Sequence, residues 1–225
     1  MSQRVGLMGG TFDPIHVGHL RAAEEAVERL SLDCLFFVPA AFPPHKAGER
    51  ILPFEDRLHM LESVVKGHPS FRISDVERRL PGKSYTVNTL RLLHDESRSR
   101  AEFFFLLGMD AFLEVNTWYH YKELFQLAHM VVLRRPGHAD EEVGAFLKEK
   151  VACDYDASYR DAFSFEHPQL LSVHLLHNTH FGVSSTQVRA LAAAGKSIRY
   201  LVLPEVMDYI ERHRLYRAET VDGPH

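Results

Sequence analysis

Two histidines lie close together near the N-terminus, in a glycine-rich segment that follows a short apolar run. The segment reads Gly9-Gly10-Thr11-Phe12-Asp13-Pro14-Ile15-His16-Val17-Gly18-His19-Leu20. Glycines let the backbone turn sharply and let a ligand approach closely. The helix expected to begin near His16 or Val17 would direct free N–H groups and its positive dipole end at an anion. The segment therefore predicts a phosphate site, with Gly18 leaving room for the phosphate.

The spacing of His16 and His19 favours a shared role. Residues three apart lie on one face of a helical turn. Two imidazoles that donate hydrogen bonds to phosphate oxygens would stabilise the charge that develops in phosphoryl-group chemistry. The simpler alternative is that both rings only cap and solvate the start of the helix. The glycines on either side favour the functional interpretation.

A second candidate anion site lies near the C-terminus, in Gly182-Val183-Ser184-Ser185-Thr186-Gln187-Val188-Arg189. Ser184 and Gln187 fit a capping box, which begins a helix. Arg189 is then expected in the first turn, where a cation opposes the helix dipole at a cost of roughly 0.3–1 kcal/mol. A bound anion, with hydroxyl donors from Ser185 and Thr186, would explain that arrangement. A capped surface helix with a solvated arginine is the alternative.

Two other kinds of site are disfavoured. Gly82-Lys83-Ser84 matches the end of a P-loop, but position 77 is glutamate where that motif needs glycine. His174, His177 and His180 are evenly spaced, yet they divide between a predicted strand and a loop, and no cysteine or carboxylate shares the spacing. No protein-held metal is therefore expected, which disfavours a histidine-rich metal carrier.

The histidine segment resembles the (H/T)xGH signature of the nucleotidyltransferase superfamily. Its G-G-T-F-D-P-x-H form is similar to that of the bacterial nicotinate-nucleotide adenylyltransferases. Residues 183–189 resemble the I-S-S-T-x-x-R motif of the same family, with Val183 in place of isoleucine. Further segments match, and the resemblance extends from Val5 to about Tyr216. They include Phe42-Pro43-Pro44-His45-Lys46 and Ser84-Tyr85-Thr86-Val87-Asn88-Thr89-Leu90, where Asn88 replaces the usual aspartate.

This resemblance implies transfer of AMP from ATP to nicotinate mononucleotide, giving nicotinic acid adenine dinucleotide and pyrophosphate in NAD biosynthesis, with Mg²⁺ accompanying ATP. It implies catalytic roles for His16, His19, Lys46 and Arg189. It implies ATP binding by Gly9, Gly10, Thr11, Phe12, Gly18, Gly108, Asp110, Ser184, Ser185 and Thr186. Thr86, Trp118, Tyr119 and Arg135 are assigned to the nicotinate nucleotide. From the residues alone, Asp110 could equally cap a helix and Trp118 could belong to the core.

Three other functions remain to be weighed against this one. A phosphopantetheine adenylyltransferase is disfavoured, because such chains are usually shorter and lack the Trp118-Tyr119 and Ser84-Tyr85-Thr86 segments. A dual-specificity enzyme would also accept the amide, nicotinamide mononucleotide. A non-catalytic nucleotide sensor is disfavoured by the intact histidines.

The elements that must position these residues follow from alternating patterns. Short apolar runs at 5–8, 35–38, 103–107, 130–133 and 170–175 predict buried strands. Between them lie amphipathic stripes, such as Leu20, Ala23, Val27 and Leu30, then Leu58, Leu61, Val64 and Val65. Strands alternating with helices predict a Rossmann-like, doubly wound and mostly parallel sheet with helices on both faces. Its ligand is expected beyond the carboxyl ends of the strands, where the strand order reverses.

Length and composition set the remaining expectations. The chain has 225 residues and a formal net charge of −4, which argues against a nucleic-acid partner. No apolar stretch is long enough for a signal peptide or a membrane span, so a cytoplasmic protein is expected. One domain is predicted over 1–217, with a helical part at about 184–216 that includes a helix over 204–216, then a flexible tail at 218–225. Residues 139–167 are not assigned, and a homo-oligomer is left open.

Overall fold

The computed structural model describes residues 2–43, 50–98, 100–158 and 163–217. Eight strands form one sheet in the order β3-β2-β1-β4-β5-β8-β7-β6. They are β1 (Gln3–Gly10), β2 (Cys34–Pro39), β3 (Phe71–Ile73), β4 (Ala101–Gly108), β5 (His129–Leu133), β6 (Asp156–Ser158), β7 (Ser164–Glu166) and β8 (Val173–Leu176). The first six in this order are parallel, and β7 and β6 are antiparallel. The order reverses between β1 and β4, which lie side by side.

Helices cover both faces of this sheet. They are α1 (Val17–Arg29), α2 (Phe54–Val65), α3 (Thr86–Ser97), α4 (Met109–Leu113), α5 (Tyr121–Leu127), α6 (Asp140–Phe146), α7 (Ser185–Ala193) and α8 (Pro204–Arg212). Side chains alternate along the central strands, so Phe103 and Phe105 pack with α3 and α5 while Phe104 and Leu106 pack with α1, α2 and α8. Burial on both sides explains the continuous apolar runs. The predicted doubly wound α/β fold is confirmed.

Several local features differ from the sequence expectation. Strand β3 is only three residues long and includes the exposed Arg72, so it lacks a recognisable apolar run. The unassigned stretch 139–167 contains α6, a following turn of π-helix (Leu147–Val151) and the short strands β6 and β7. The last helix ends at Arg212 and not at residue 216. Arg214 and Tyr216 have φ values of 52° and 65°, and a left-handed backbone cannot continue a right-handed helix.

The buried face of α2 is also rotated from the predicted stripe. It consists of Arg57, Met60 and Leu61. Arg57 is 2% exposed, so a cation is held inside the protein beside the first strand. Among the described residues, no helix is both long enough and apolar enough to cross a bilayer. Lys46 and the predicted tail at 218–225 lie outside the described residues.

Candidate active site

Two cavities meet where β1 and β4 end. The larger has a volume of about 530 Å³ and the smaller about 370 Å³, and Gly9 and Gly108 line both. A Cβ at Gly9 would lie 3.4 Å from the Phe105 ring, and one at Gly108 would lie 3.7 Å from Arg135 Nε. Gly9 and Gly108 therefore form part of the wall that the two cavities share, together with Leu106 and Leu107, at the point where the strand order reverses. This is the position expected for a ligand in an open parallel sheet.

The two histidines form a stacked pair on the larger cavity. His16 is the residue before α1 and His19 lies in its first turn. Their ring centroids are 3.7 Å apart with the planes inclined by 19°. The backbone N–H of His16 donates to His19 Nδ1 at 3.3 Å. A neutral His19 therefore carries its proton on Nε2, which makes Nε2 a hydrogen-bond donor.

Both imidazoles are neutral at pH 7. Burial, assisted by the positive charge of Arg135, lowers the pKa of His16 to about 4. Burial also holds the pKa of His19 well below its usual value, and His16 and Arg135 add to this effect. His16 Nδ1 is buried and has no partner among the described residues. The pair thus offers neutral N–H donors, which can bind phosphate oxygens without acting as permanent cations.

Phe12 and Gly18 support this pair in ways that differ from the sequence expectation. The Phe12 ring is 2% exposed and meets the His19 ring edge-on at 5.2 Å. It is therefore a platform for His19, and its side chain is not available to ATP. A Cβ at Gly18 would lie 3.1 Å from Val183 and 3.2 Å from the His16 ring. The space at Gly18 is thus occupied by these neighbours, although Gly18 also lines the larger cavity.

The second predicted anion segment begins α7 on the same cavity. Ser184 accepts a hydrogen bond from the backbone N–H of Gln187 at 3.2 Å, so the expected N-cap is present. Ser184 and Ser185 line the larger cavity together with the histidines. The structure therefore brings the two predicted anion segments together, although 168 positions separate His16 from Ser184 in the chain.

Arg189 was predicted to lie in the first turn of α7. It is instead the fifth residue of that helix. Its Nη1 donates to the backbone carbonyl of Asp13 at 2.8 Å, and its Nη2 donates to Thr186 Oγ1 at 3.3 Å. Ser185 Oγ similarly donates to the carbonyl of Pro14 at 2.9 Å. These side chains join α7 to the loop that precedes the histidines, so all of them have a structural contact, and only Ser185 among them also lines the larger cavity.

The smaller cavity contains two of the four residues assigned to the nicotinate nucleotide, and Tyr119 and Arg135 do not line it. Thr86 is the first residue of α3, and Thr86 and Trp118 both line this cavity with Gly10 and Thr11. Tyr119 is 49% exposed and packs on Tyr85 with ring centroids 4.8 Å apart. Arg135 lies further away. It follows β5, on the far side of β4 from β1, and lines the larger cavity.

Arg135 and Asp110 form an ion pair. Arg135 Nη1 lies 2.8 Å from one carboxylate oxygen of Asp110, and His138 Nε2 lies 2.9 Å from the other. Both partners of the Arg135 pair are more than half exposed, so the pair adds little to stability. Asp110, predicted to accept hydrogen bonds from ribose, is therefore already occupied by two donors. A ribose hydroxyl would have to replace one of them or share an oxygen.

Three residues of this site were not identified from the sequence. Arg57 Nη1 donates to the carbonyl of Thr11 at 2.7 Å, and Tyr216 donates to the carboxylate of Asp13. Glu77 lines the smaller cavity, where it accepts from Thr89 Oγ1 at 3.0 Å and from the Ala41 N–H at 3.3 Å. Burial raises the pKa of Glu77, and these hydrogen bonds oppose that shift. Arg57 could have been identified from the sequence, because it precedes Met60 and Leu61 by three and four residues and so lies on the same face of α2.

The described residues contain no group of three or more His, Cys, Asp or Glu side chains arranged to hold a metal. His174, considered above for such a site, lies in β8, and its Nε2 is 2.9 Å from Ser172 Oγ.

Comparisons with known proteins agree with this geometry. Residues 7–191 match the family model described as "Cytidylyltransferase-like". A protein of Syntrophotalea carbinolica is 42% identical over 222 residues, covering 96% of this chain and 98% of the relative. One of Geotalea uraniireducens is 44% identical over 218 residues, covering 95% and 98%. Both are named "Probable nicotinate-nucleotide adenylyltransferase".

A solved structure shares the fold at much lower sequence similarity. It is the Plasmodium falciparum nicotinic acid mononucleotide adenylyltransferase complexed with NaAD, with a TM-score of 0.73, 16% identity and coverage of 95% of this chain and 97% of that one. The sequence relatives match over nearly their whole length. The chain therefore belongs to the cytidylyltransferase-like family, in the group of nicotinate-nucleotide adenylyltransferases.

Proposed function

We propose that this chain transfers AMP from ATP to nicotinate mononucleotide, releasing pyrophosphate and forming nicotinic acid adenine dinucleotide. The observation that carries the proposal is the stacked pair of neutral histidines on the larger of two cavities that share a wall. A reaction that joins two nucleotides needs two binding spaces with a common boundary. The names of the 42% and 44% identical relatives support the same reaction.

ATP is assigned to the larger cavity, with its phosphates at the starts of α1 and α7. Helix N-termini direct free N–H groups at anions, and His16, His19, Ser184 and Ser185 provide further donors there. Arg135 and Arg189 add positive charge near these donors. Asp110 and Gly108, at the end of β4, lie where the ribose of ATP would be held. Lys46 is assigned to phosphate on the resemblance of its motif.

The acceptor is assigned to the smaller cavity, with its pyridine ring between Trp118 and Thr86. Its phosphate oxygen attacks the α-phosphorus of ATP at the boundary of the two cavities, beside Gly9 and Gly108. The bond from the α-phosphorus to the bridging oxygen breaks, and pyrophosphate leaves. No side chain need act as a nucleophile, because the acceptor phosphate is already ionised. The protein contributes positioning and hydrogen-bond donors at the oxygens where charge develops.

Mg²⁺ bound to ATP would neutralise part of the phosphate charge during this transfer. The side chains of the site then have two tasks. His19 Nε2–H, whose proton position is fixed by the hydrogen bond at Nδ1, donates to a phosphate oxygen. The loop at 9–12 and the α7 N-terminus exclude water from the reacting oxygens and orient them. We place the reaction in the cytoplasm, where ATP is available.

Pyrophosphate release from ATP tests the proposal when the acceptors are nicotinate mononucleotide, nicotinamide mononucleotide and phosphopantetheine. The nicotinate nucleotide is expected to give the highest kcat/KM. A carboxylate held by backbone N–H groups near Thr86 and Tyr119 forms charge-assisted bonds roughly twice as strong as neutral ones. An amide leaves such donors unpaired, at about 1–3 kcal/mol each, so discrimination of order a hundredfold is expected. Equal values for acid and amide, or activity with phosphopantetheine alone, would contradict the assignment.

A further inference from the structure

We propose that Tyr216, near the C-terminal end of the described chain, is a positioning residue for the loop at 11–14 that leads into the histidine pair. Its hydroxyl donates to Asp13 Oδ1 at 2.7 Å, across 203 positions of sequence. Asp13 is 2% exposed, so this hydrogen bond is made inside the protein. The kinetic part of this inference rests on the proposed adenylyl transfer; the geometric part does not.

The loop is held at several points by donors from distant elements. Arg57 of α2 donates to the carbonyl of Thr11 at 2.7 Å, Arg189 of α7 donates to the carbonyl of Asp13 at 2.8 Å, and Ser185 donates to the carbonyl of Pro14 at 2.9 Å. These three contacts fix backbone oxygens. The Tyr216 contact fixes the one carboxylate of the loop, whose charge is buried and needs a donor or counter-charge to be stable there.

Local backbone geometry directs Tyr216 toward this carboxylate. Helix α8 ends at Arg212, and positive φ values at Arg214 and Tyr216 turn the chain back toward the body of the protein. Burial and the neighbouring Asp13 raise the pKa of Tyr216 above its ordinary value, so the hydroxyl stays protonated and remains a donor. Leu215 N–H donates to the Ile210 carbonyl at 3.0 Å, which anchors the turn on α8.

The loop in turn sets the position of the imidazoles. Phe12, directly before Asp13, contacts the His19 ring edge-on, and Ile15, two residues after Asp13, is 1% exposed and precedes His16. A shift of the Asp13 carboxylate would therefore move Phe12 and Ile15, and with them the two imidazoles. Displacements on the scale of 1 Å far from the reacting atoms can reduce turnover by up to about a hundredfold. For the loss of one of four anchors we expect a smaller effect.

The test is Tyr216→Phe, matched with Tyr209→Phe. Tyr209 lies on α8 and donates to Asp56 Oδ1 of α2 at 2.9 Å, so both variants remove a tyrosine–aspartate hydrogen bond in the C-terminal part of the chain. Tyr209 lines neither cavity. Both variants should melt at lower temperature than the wild type. In assays at a temperature well below the Tm of both variants, Tyr216→Phe should lower kcat about tenfold with little change in the KM for ATP. Tyr209→Phe should stay within twofold of the wild type.

A second readout does not depend on turnover. In ¹H–¹⁵N spectra of the ring nitrogens, the His16 and His19 signals should move in Tyr216→Phe and stay in place in Tyr209→Phe. Unchanged imidazole signals together with equal kcat values for the two variants would overturn the inference. A wild-type protein that fails to release pyrophosphate would refute the proposed function instead. The imidazole spectra would then still decide whether Tyr216 positions the pair.

Discussion

Replacing His19 by alanine separates the catalytic part of the histidine pair from its structural part. The substitution removes the Nε2–H donor that faces the larger cavity. It also removes the acceptor of the His16 backbone N–H and a ring that contacts both Phe12 and His16. The donor matters for the reaction, and the other contacts matter for folding. The two effects can be estimated separately from these contacts.

The expected loss in kcat is about 10²–10³-fold, which is typical of removing one preorganised donor from a developing oxyanion. The expected loss in stability comes from the other contacts. One hydrogen bond contributes about 1 kcal/mol and each of the two aromatic contacts about 0.5–1.5 kcal/mol, so about 2–4 kcal/mol is lost. In a protein of this size that corresponds to a fall of about 4–16 °C in Tm. The variant should therefore be folded and almost inactive at 25 °C.

The measurement is pyrophosphate release at saturating ATP and nicotinate mononucleotide, with Tm measured on the same samples. His213→Ala is the matched control, because His213 also stacks on a neighbouring ring, that of Tyr209 at 4.3 Å, and lines neither cavity. It should lose some stability and keep the wild-type kcat. A His19→Ala enzyme with a kcat within threefold of the control would refute the assigned role of the Nε2–H donor.

Three further changes test other parts of the site. Arg189→Ala should lower the Tm of the unliganded protein by at least about 2 °C, because the carbonyl of Asp13 loses a charged donor. An unchanged Tm with weaker ATP binding would show that this contact adds nothing to stability. Glu77→Gln should raise the KM for nicotinate mononucleotide about fivefold and leave the KM for ATP unchanged, since Glu77 accepts hydrogen bonds from Ala41 and Thr89 beside the smaller cavity. Equal effects on both KM values would contradict this. In urea unfolding, His16 should contribute a fall of up to about 3 kcal/mol in the free energy of unfolding between pH 6.5 and 4, because the unfolded chain binds a proton at His16 that the folded chain, with a pKa of about 4, does not bind. His16→Asn should remove that part of the pH dependence, and an unchanged pH dependence would contradict this.

The sheet could be predicted because burial on both faces leaves an unmistakable pattern. Runs such as Phe103-Phe104-Phe105-Leu106-Leu107 have no polar interruption, so β1, β2, β4 and β5 were identified. The predicted run at 170–175 contains Ser172 and His174, and the strand found there, β8, spans only Val173–Leu176. The short antiparallel strands β6 and β7 have three residues each and begin and end with polar residues. Backbone pairing with neighbouring strands stabilises them, and that information is not local to their sequence.

The site was predictable where a ligand needs backbone shape, and less so where one side chain supports another. Glycine and histidine spacing predicted a segment that lines the larger cavity, and the N-cap at Ser184 followed from the local sequence. The direction of Arg189 and the burial of Phe12 depend on which elements lie next to each other, so they were not accessible. The location of Arg135 followed from strand order, which the sequence does not contain. For Arg57, the helical stripe was identified but rotated by one residue.

The wall shared by the two cavities, which includes Gly9 and Gly108, also bears on how the reaction ends. Each substrate would occupy one cavity, whereas the dinucleotide product would occupy both and retain the contacts of each. Linked ligands bind more tightly than their separate halves, since the second half binds at a high effective concentration. Departure of the dinucleotide, after pyrophosphate, would then be the slowest step of the cycle. By the same geometry, a stable dinucleotide analogue that spans Gly9 and Gly108 should inhibit more strongly than analogues of either substrate alone.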